Sequence, residues 1–199
     1  LIKIGISNHI TPDYVDNISK LQAVNCAVKM IVTSNNITFV KRDLSYTKKQ
    51  YIDGFTLLVS GNRRNKYSSL TYLKSINYLD NILEREKTLK AGYNEALFLN
   101  TDNEICEGSV SNIFFVKQSK VYTPAVKCGL LNGVVRRFII DKYNAIEGKY
   151  NAQDLYNCDG VFITNSLMGV MKIVKINNNS INQTDIIQKI SDEYNEFIH

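Results

Sequence analysis

One stretch, residues 69–112, constrains the fold of this chain more than any other. It places Lys74 directly before a predicted helix and Glu107 directly before a Gly-Ser turn. Between them, residues 77–89 carry apolar side chains on one side only, which is typical of an amphipathic helix. An apolar strand, a short turn and a return strand follow over residues 95–107 and predict a β-hairpin. The stretch therefore predicts a strand-rich fold with a helix packed beside it.

The rest of the chain also predicts alternating strands and helices. A Thr-Pro start favours a helix over residues 11–21, and residues 25–42 predict a hairpin. A glycine-containing loop leads into a helix over residues 134–143, and a closing helix covers residues 184–197. The predicted fold class is α/β with a mixed sheet. The predicted domains are 1–48 (remnant of a small α/β domain), 49–53 (linker) and 54–199 (large domain).

The composition is that of an ordinary globular protein. Of 199 residues, 44% are hydrophobic and 22% are charged. No apolar run reaches the length of a membrane span and no secretory signal pattern is visible, so we expect a cytoplasmic protein without a membrane partner. The net charge is +5, but the basic residues are dispersed, so we expect no nucleic-acid partner. Scattered cysteines and only two histidines predict no metal site.

The order of several short motifs resembles one enzyme family. The motifs are Lys-Ser-Ile-Asn-Tyr-Leu at 74–79, Asn-Glu-Ala-Leu-Phe-Leu at 94–99, Glu-Gly-Ser-Val-Ser-Asn-Ile-Phe at 107–114 and Gly-Val-Val-Arg at 133–136. Together they resemble the fold-type IV (class IV aminotransferase) pyridoxal-phosphate enzymes, from about residue 54 to about residue 175. The resemblance implies a two-domain class IV aminotransferase-like fold whose small N-terminal domain is truncated here.

The resemblance also implies roles for individual residues. Lys74 would bind the cofactor covalently and move protons, and Glu107 would pair with the pyridine nitrogen. The phosphate would be held by the N–H groups of Val134 and Val135 and by the side chain of Ser166. Leu131 would pack beside the ring. An arginine that the family also uses for the phosphate would lie upstream of Leu1, in a portion missing from this chain.

The substrate is expected to be a small amine with a carboxylate. Candidates for its contacts are Ser109, Asn165 and Arg64. Without the resemblance, the sequence alone would favour a solvated lysine at Lys74, a strand-end carboxylate at Glu107 and a turn-forming serine at Ser109. The family's sites take residues from both subunits, so a homodimer is expected.

The sequence leaves three functions open. Residues 164–170 are similar to those of family lyases that convert 4-amino-4-deoxychorismate into 4-aminobenzoate and pyruvate in folate biosynthesis. A valine at position 135, where the family's aminotransferases often have threonine, favours the same reading. The alternatives are a branched-chain or D-amino-acid aminotransferase, and a truncated chain without activity. Residues 27–35 lack the arginine that D-amino-acid aminotransferases place there, which weighs against that choice.

Overall fold

The computed structural model describes residues 13, 18, 26–44 and 46–198. Apart from positions 13 and 18, the helix predicted over residues 11–21 lies outside the described residues. Contacts divide the chain into two compact units, Leu1–Tyr46 and Thr47–His199. The interpretation of residues 1–48 as the remnant of a smaller domain stays a prediction.

The first unit contains an antiparallel hairpin. Strand β1 (Cys26–Val32) pairs with strand β2 (Ile37–Asp43) along its whole length. The turn between them closes with a hydrogen bond from the Thr33 N–H to the Asn36 carbonyl at 2.8 Å. The hairpin predicted over residues 25–42 is therefore confirmed.

The segment predicted as a linker over residues 49–53 is helical. Helix α1 (Lys48–Asp53) begins with a capping box, in which the Thr47 side chain accepts from the Gln50 N–H and the Gln50 side chain accepts from the Thr47 N–H. These paired bonds satisfy two amide groups that a helix start otherwise leaves open. The polar composition of this segment did not reveal the helix, and the assignment of residues 49–53 as the connection between two domains stays a prediction.

The second unit is built on a mixed sheet of nine strands within the described residues. The order across the sheet is β5, β4, β3, β10, β9, β6, β7, β8, with β11 beside β10. Most neighbours are antiparallel, but β3 runs parallel to both β4 and β10, and β7 runs parallel to β8. The strands are β3 (Phe55–Arg64), β4 (Glu95–Asn100), β5 (Ile105–Gly108), β6 (Asn112–Lys117), β7 (Lys120–Pro124), β8 (Ile146–Gly148), β9 (Gly160–Asn165), β10 (Gly169–Ile176) and β11 (Asn179–Ser180).

Helices cover this sheet and complete the core. They are α2 (Leu79–Lys90), α3 (Val134–Tyr143), α4 (Ala152–Tyr156) and α5 (Asp185–Ile198). Helices α3 and α5 pack on β6 and β9, where the rings of Phe114 and Phe162 stack at 5.0 Å between centroids. Across the described part of the chain, no helix is long and apolar enough to cross a membrane.

Helix α2 is amphipathic, but its apolar side faces outward. Leu79, Ile82 and Leu83 are 62%, 51% and 55% exposed, whereas Asn81 and Glu84 are buried. The sequence period fixes the two faces of a helix, but it does not fix which face is covered within one chain. This inversion places a buried asparagine next to the candidate site.

Candidate active site

Lys74 lies in the loop that joins β3 to α2, after a single 3₁₀ turn at Ser69–Tyr72. Its side chain is exposed, and its Nζ atom donates a hydrogen bond to the Tyr78 hydroxyl at 3.2 Å. Tyr78 is four positions after Lys74 and is the N-cap of α2, so its hydroxyl lies beside the amine. The lysine is therefore accessible and has one defined polar partner.

A cavity of about 630 Å³ opens next to this loop. Its wall includes Arg64 from β3, Phe98 from β4, Glu107 from β5 and Leu131 from the loop before α3, together with Tyr78. Residues far apart in the sequence thus converge on one space. Three of the predicted site residues, Arg64, Glu107 and Leu131, share this wall.

Glu107 is a buried carboxyl group in the wall of the cavity. Its Oε2 atom accepts from the Leu131 N–H at 3.0 Å, and its Oε1 atom accepts from Arg64 Nη2 at 3.2 Å. Burial raises the pKa of Glu107 to about 7, because a charged group loses hydration there, while Arg64, the Leu131 N–H and Lys74 lower it. Lys74 itself is not among the residues that line the cavity, although its neighbours Leu73 and Tyr78 are.

The turn that follows Glu107 is fixed by a second buried carboxylate, Glu95. Its Oε1 atom accepts from the Ser109 N–H at 3.0 Å and from the Ser109 hydroxyl, and its Oε2 atom accepts from the Ser111 hydroxyl at 3.3 Å. The Ser109 side chain is therefore buried and engaged, and Ser109 lies outside the cavity wall. Because the hydroxyl proton is committed to Glu95, a substrate group could contact this hydroxyl without breaking that bond only by donating to it.

The start of helix α3 forms a place suited to an anion. Its N-cap is Gly133, no side chain caps it, and the N–H groups of a first helical turn have no partner within the helix. A Cβ atom on Gly133 would lie 2.3 Å from Asn112 Oδ1, so the loop passes too close to Asn112 for a side chain. Asn112 Nδ2 also donates to the Leu131 carbonyl at 2.8 Å, which fixes the loop from the same side.

Val134 and Val135 occupy the first turn of this helix. Val134 is exposed, and Val135 is buried in the core cluster. Ser166 is exposed and follows the end of β9, where Thr164 lies opposite Asn112 in the β6–β9 pairing. The predicted phosphate-binding groups thus come from the start of helix α3 and from the turn after β9. Asn165, a predicted substrate contact, accepts with its side chain from the N–H groups of Leu167 and Met168.

Sequence reasoning missed several groups that shape this region. Tyr78 is signalled by its spacing of four residues from Lys74, but Asn81, Glu95 and Asn112 act through contacts 14 to 28 residues away in the sequence. No sequence pattern indicates such pairings. Among the described residues, no cluster of three or more His, Cys, Asp or Glu side chains is placed to hold a metal ion. The arrangement instead offers an amine, a carboxylate for a cationic nitrogen and N–H groups for an anion.

Comparison with known proteins identifies the class. The amino-transferase class IV family matches residues 9–176, so this chain belongs to that family. It is 34% identical over 119 residues to the aminodeoxychorismate lyase of Bacillus subtilis (strain 168), covering 57% of this chain and 41% of that protein. It is 31% identical over 152 residues to a probable branched-chain-amino-acid aminotransferase of Aquifex aeolicus, covering 71% and 49%. The chain spans about half the length of the curated relatives that it matches.

The fold agrees with solved structures of the same kind. A putative 4-amino-4-deoxychorismate lyase from Legionella pneumophila superimposes with a TM-score of 0.86 at 25% identity, covering 98% of this chain and 80% of that one. A putative branched-chain aminotransferase from Thermotoga maritima gives a TM-score of 0.84 at 21% identity, which shows a shared fold. The predicted family and the predicted mixed α/β fold are both confirmed.

Proposed function

We propose that this chain forms the cofactor site of a pyridoxal-phosphate-dependent lyase that converts 4-amino-4-deoxychorismate into 4-aminobenzoate and pyruvate. The observation that carries this proposal is the convergence of Glu107, Arg64 and Leu131 on one cavity with Lys74 beside it. The two similar proteins named as aminodeoxychorismate lyases, one of them putative, support the choice of reaction.

The residues present fit the cofactor. Lys74 is an accessible amine, as a covalent bond to an aldehyde requires. The buried Glu107 carboxylate would hold the ring nitrogen, and the N–H groups of Val134 and Val135, with Ser166, would hold the phosphate. The close approach of Asn112 to Gly133 keeps the phosphate loop near the sheet. When bound, pyridoxal phosphate would supply an electron sink for the carbon that loses a proton.

The chain's own groups would move the proton. Lys74 Nζ would take it from the ring carbon that bears the substrate's amino group, and the same atom would return it to the departing three-carbon group. That group leaves as pyruvate when its carbon–oxygen bond to the ring breaks, and the ring becomes aromatic. The Tyr78 hydroxyl, 3.2 Å from Nζ, orients the amine between the two transfers. Glu107 would hold the ring nitrogen throughout.

The first test is to locate the cofactor. The purified protein is mixed with pyridoxal phosphate, reduced with borohydride and digested, and the modified peptide is identified by mass. We expect the label on Lys74. Lys74→Ala should lose it, and Lys90→Ala, an exposed lysine at the end of α2, should keep it. A label on another lysine, or none, would contradict the proposal.

An aminotransferase is the second candidate, because the match to the Aquifex protein covers a larger share of this chain than the match to the Bacillus lyase. Pyruvate release from 4-amino-4-deoxychorismate supports the lyase. Amine transfer from a branched-chain or D-amino acid to a 2-oxo acid supports the aminotransferase. Cofactor on Lys74 without either reaction would support a chain that binds cofactor but is inactive.

We also propose that the protein acts as a homodimer, as the family resemblance implies. The outward apolar face of α2, formed by Leu79, Ile82 and Leu83, supports this proposal, because a second copy would cover it. Leu79 also lies in the cavity wall, so that copy would border the cavity. Ile82→Glu should shift the mass measured by light scattering toward the monomer. Lys120→Gln, an exposed substitution on β7, should leave it unchanged. A monomeric parent protein would refute the proposal.

A further inference from the structure

Arg64 is held in the cavity wall by three different contacts. Its Nη2 atom donates to Glu107 Oε1 at 3.2 Å, and its Nη1 atom donates to Asn81 Oδ1 at 2.9 Å. Its guanidinium carbon lies 4.2 Å from the centre of the Phe98 ring. Asn81 is itself buried and donates to the Ser109 carbonyl at 2.6 Å. A side chain anchored in this way has one orientation relative to Glu107.

The anchoring bears on the role of Arg64. Each terminal nitrogen uses one of its two N–H groups in these bonds, so both ends of the guanidinium are already tied to Asn81 and Glu107, while its buried Nε–H has no hydrogen-bond partner among the described residues. The side chain is also only 14% exposed. These contacts favour a partner for Glu107 over a substrate contact.

The charged and polar groups that act on Glu107 come from four parts of the chain. Arg64 on β3 and Lys74 in the following loop are positive, Glu95 on β4 is negative, and the Leu131 N–H approaches from the loop before α3. Burial opposes the charged form of Glu107, and Arg64 is the largest influence in the other direction. Removing Arg64 would therefore raise the pKa of the buried Glu107 carboxyl group further.

We propose that Arg64 is a positioning residue that acts through Glu107, favouring the charged form of its carboxyl group and orienting it to receive a cationic ring nitrogen. The bonds to Arg64 and to the Leu131 N–H use one acceptor position on each oxygen and leave room for a further donor. The nature of that donor rests on the proposed function. The coupling between Arg64 and Glu107 does not.

The test is a titration of the cofactor-free protein. Glutamate labelled with ¹³C at the side-chain carboxyl gives one signal per residue, and the Glu107 signal is the one missing from Glu107→Gln. In the parent protein we expect a midpoint near pH 7. In Arg64→Gln the midpoint should rise by about one pH unit or more, the usual effect of losing a neighbouring cation. Arg63→Gln is the matched control, because Arg63 donates to the Ser60 carbonyl instead.

An unchanged midpoint in folded Arg64→Gln would overturn the proposal. If that variant does not fold, Asn81→Ala serves in its place, since it keeps the charge and removes the anchor. Its midpoint should also rise, and no change would again overturn the proposal. Pyridoxal phosphate binding is then measured separately from pH 6 to 8. A shifted Glu107 midpoint without cofactor binding would sustain the role of Arg64 and refute the proposed function.

Discussion

Replacing Glu107 with glutamine should change how the stability of the cofactor-free protein depends on pH. Burial raises the pKa of Glu107 from the ordinary 4.5 to about 7 in the folded state. Between these values the folded protein keeps a proton that the unfolded chain has released. The free energy of unfolding therefore falls as the pH rises through this range. Glutamine has no proton to lose, so the variant lacks this contribution.

The magnitude follows from the size of the shift. Each pH unit is worth about 1.36 kcal/mol, so roughly 2.5 units correspond to a loss of about 3 kcal/mol between pH 4.5 and 7. Glu104 acts in a different window. A hydrogen bond from Lys149 holds the pKa of Glu104 at about 2, so its stabilisation is present above 4.5 and is lost only as the pH falls from there toward 2. The two effects can be separated by choice of pH.

The assay is urea unfolding of both proteins at a series of pH values from 4.5 to 8, without cofactor. The difference in unfolding free energy between parent and Glu107→Gln should change by about 3 kcal/mol across the series. Glu86→Gln, at an exposed site on α2, should follow the parent. Parallel curves for the parent and Glu107→Gln would refute the reasoning, because Glu107 would then titrate alike in both states.

Three further substitutions test the surrounding structure. Gly133→Ala should weaken phosphate-dependent cofactor binding, because the added Cβ would lie 2.3 Å from Asn112 Oδ1 and displace a side chain that bonds the Leu131 carbonyl. Gly61→Ala, where a Cβ meets open space, should leave cofactor binding unchanged. Val135→Thr should lower the unfolding free energy by about 1–3 kcal/mol in denaturation, since it buries a hydroxyl in an apolar cluster. Phe114→Ala should cost about 3–5 kcal/mol in the same assay.

Local patterns in the sequence predicted the elements well. The hairpin at residues 25–42, the strand at 95–100 and helix 134–143 agree with the structure, because alternation and periodicity are properties of short segments. The capping box Thr47-x-x-Gln50 is also a local pattern, and it begins helix α1 in a segment whose polar composition predicts a connection.

Contacts across long sequence separations could not be predicted in the same way. Arg64 and Glu107 are 43 residues apart, and nothing in either segment indicates that one neutralises the other. Ser109 was interpreted as a possible substrate contact, but its hydroxyl donates to Glu95, 14 residues away. In each case the partner is set by the register of β3, β4 and β5, which depends on packing of the whole sheet.

The position of Val135 changes how the choice between lyase and aminotransferase should be made. A missing threonine hydroxyl at this position favours the lyase only if that hydroxyl would face the phosphate. The Val135 side chain instead lies in the core cluster with Phe114 and Ile139, and only its backbone N–H belongs to the first helical turn. Valine here is therefore explained by packing, whichever reaction the protein performs. The reaction must be distinguished by the groups that face the cavity and by the products. Release of pyruvate indicates the lyase, and transfer of an amino group to a 2-oxo acid indicates the aminotransferase.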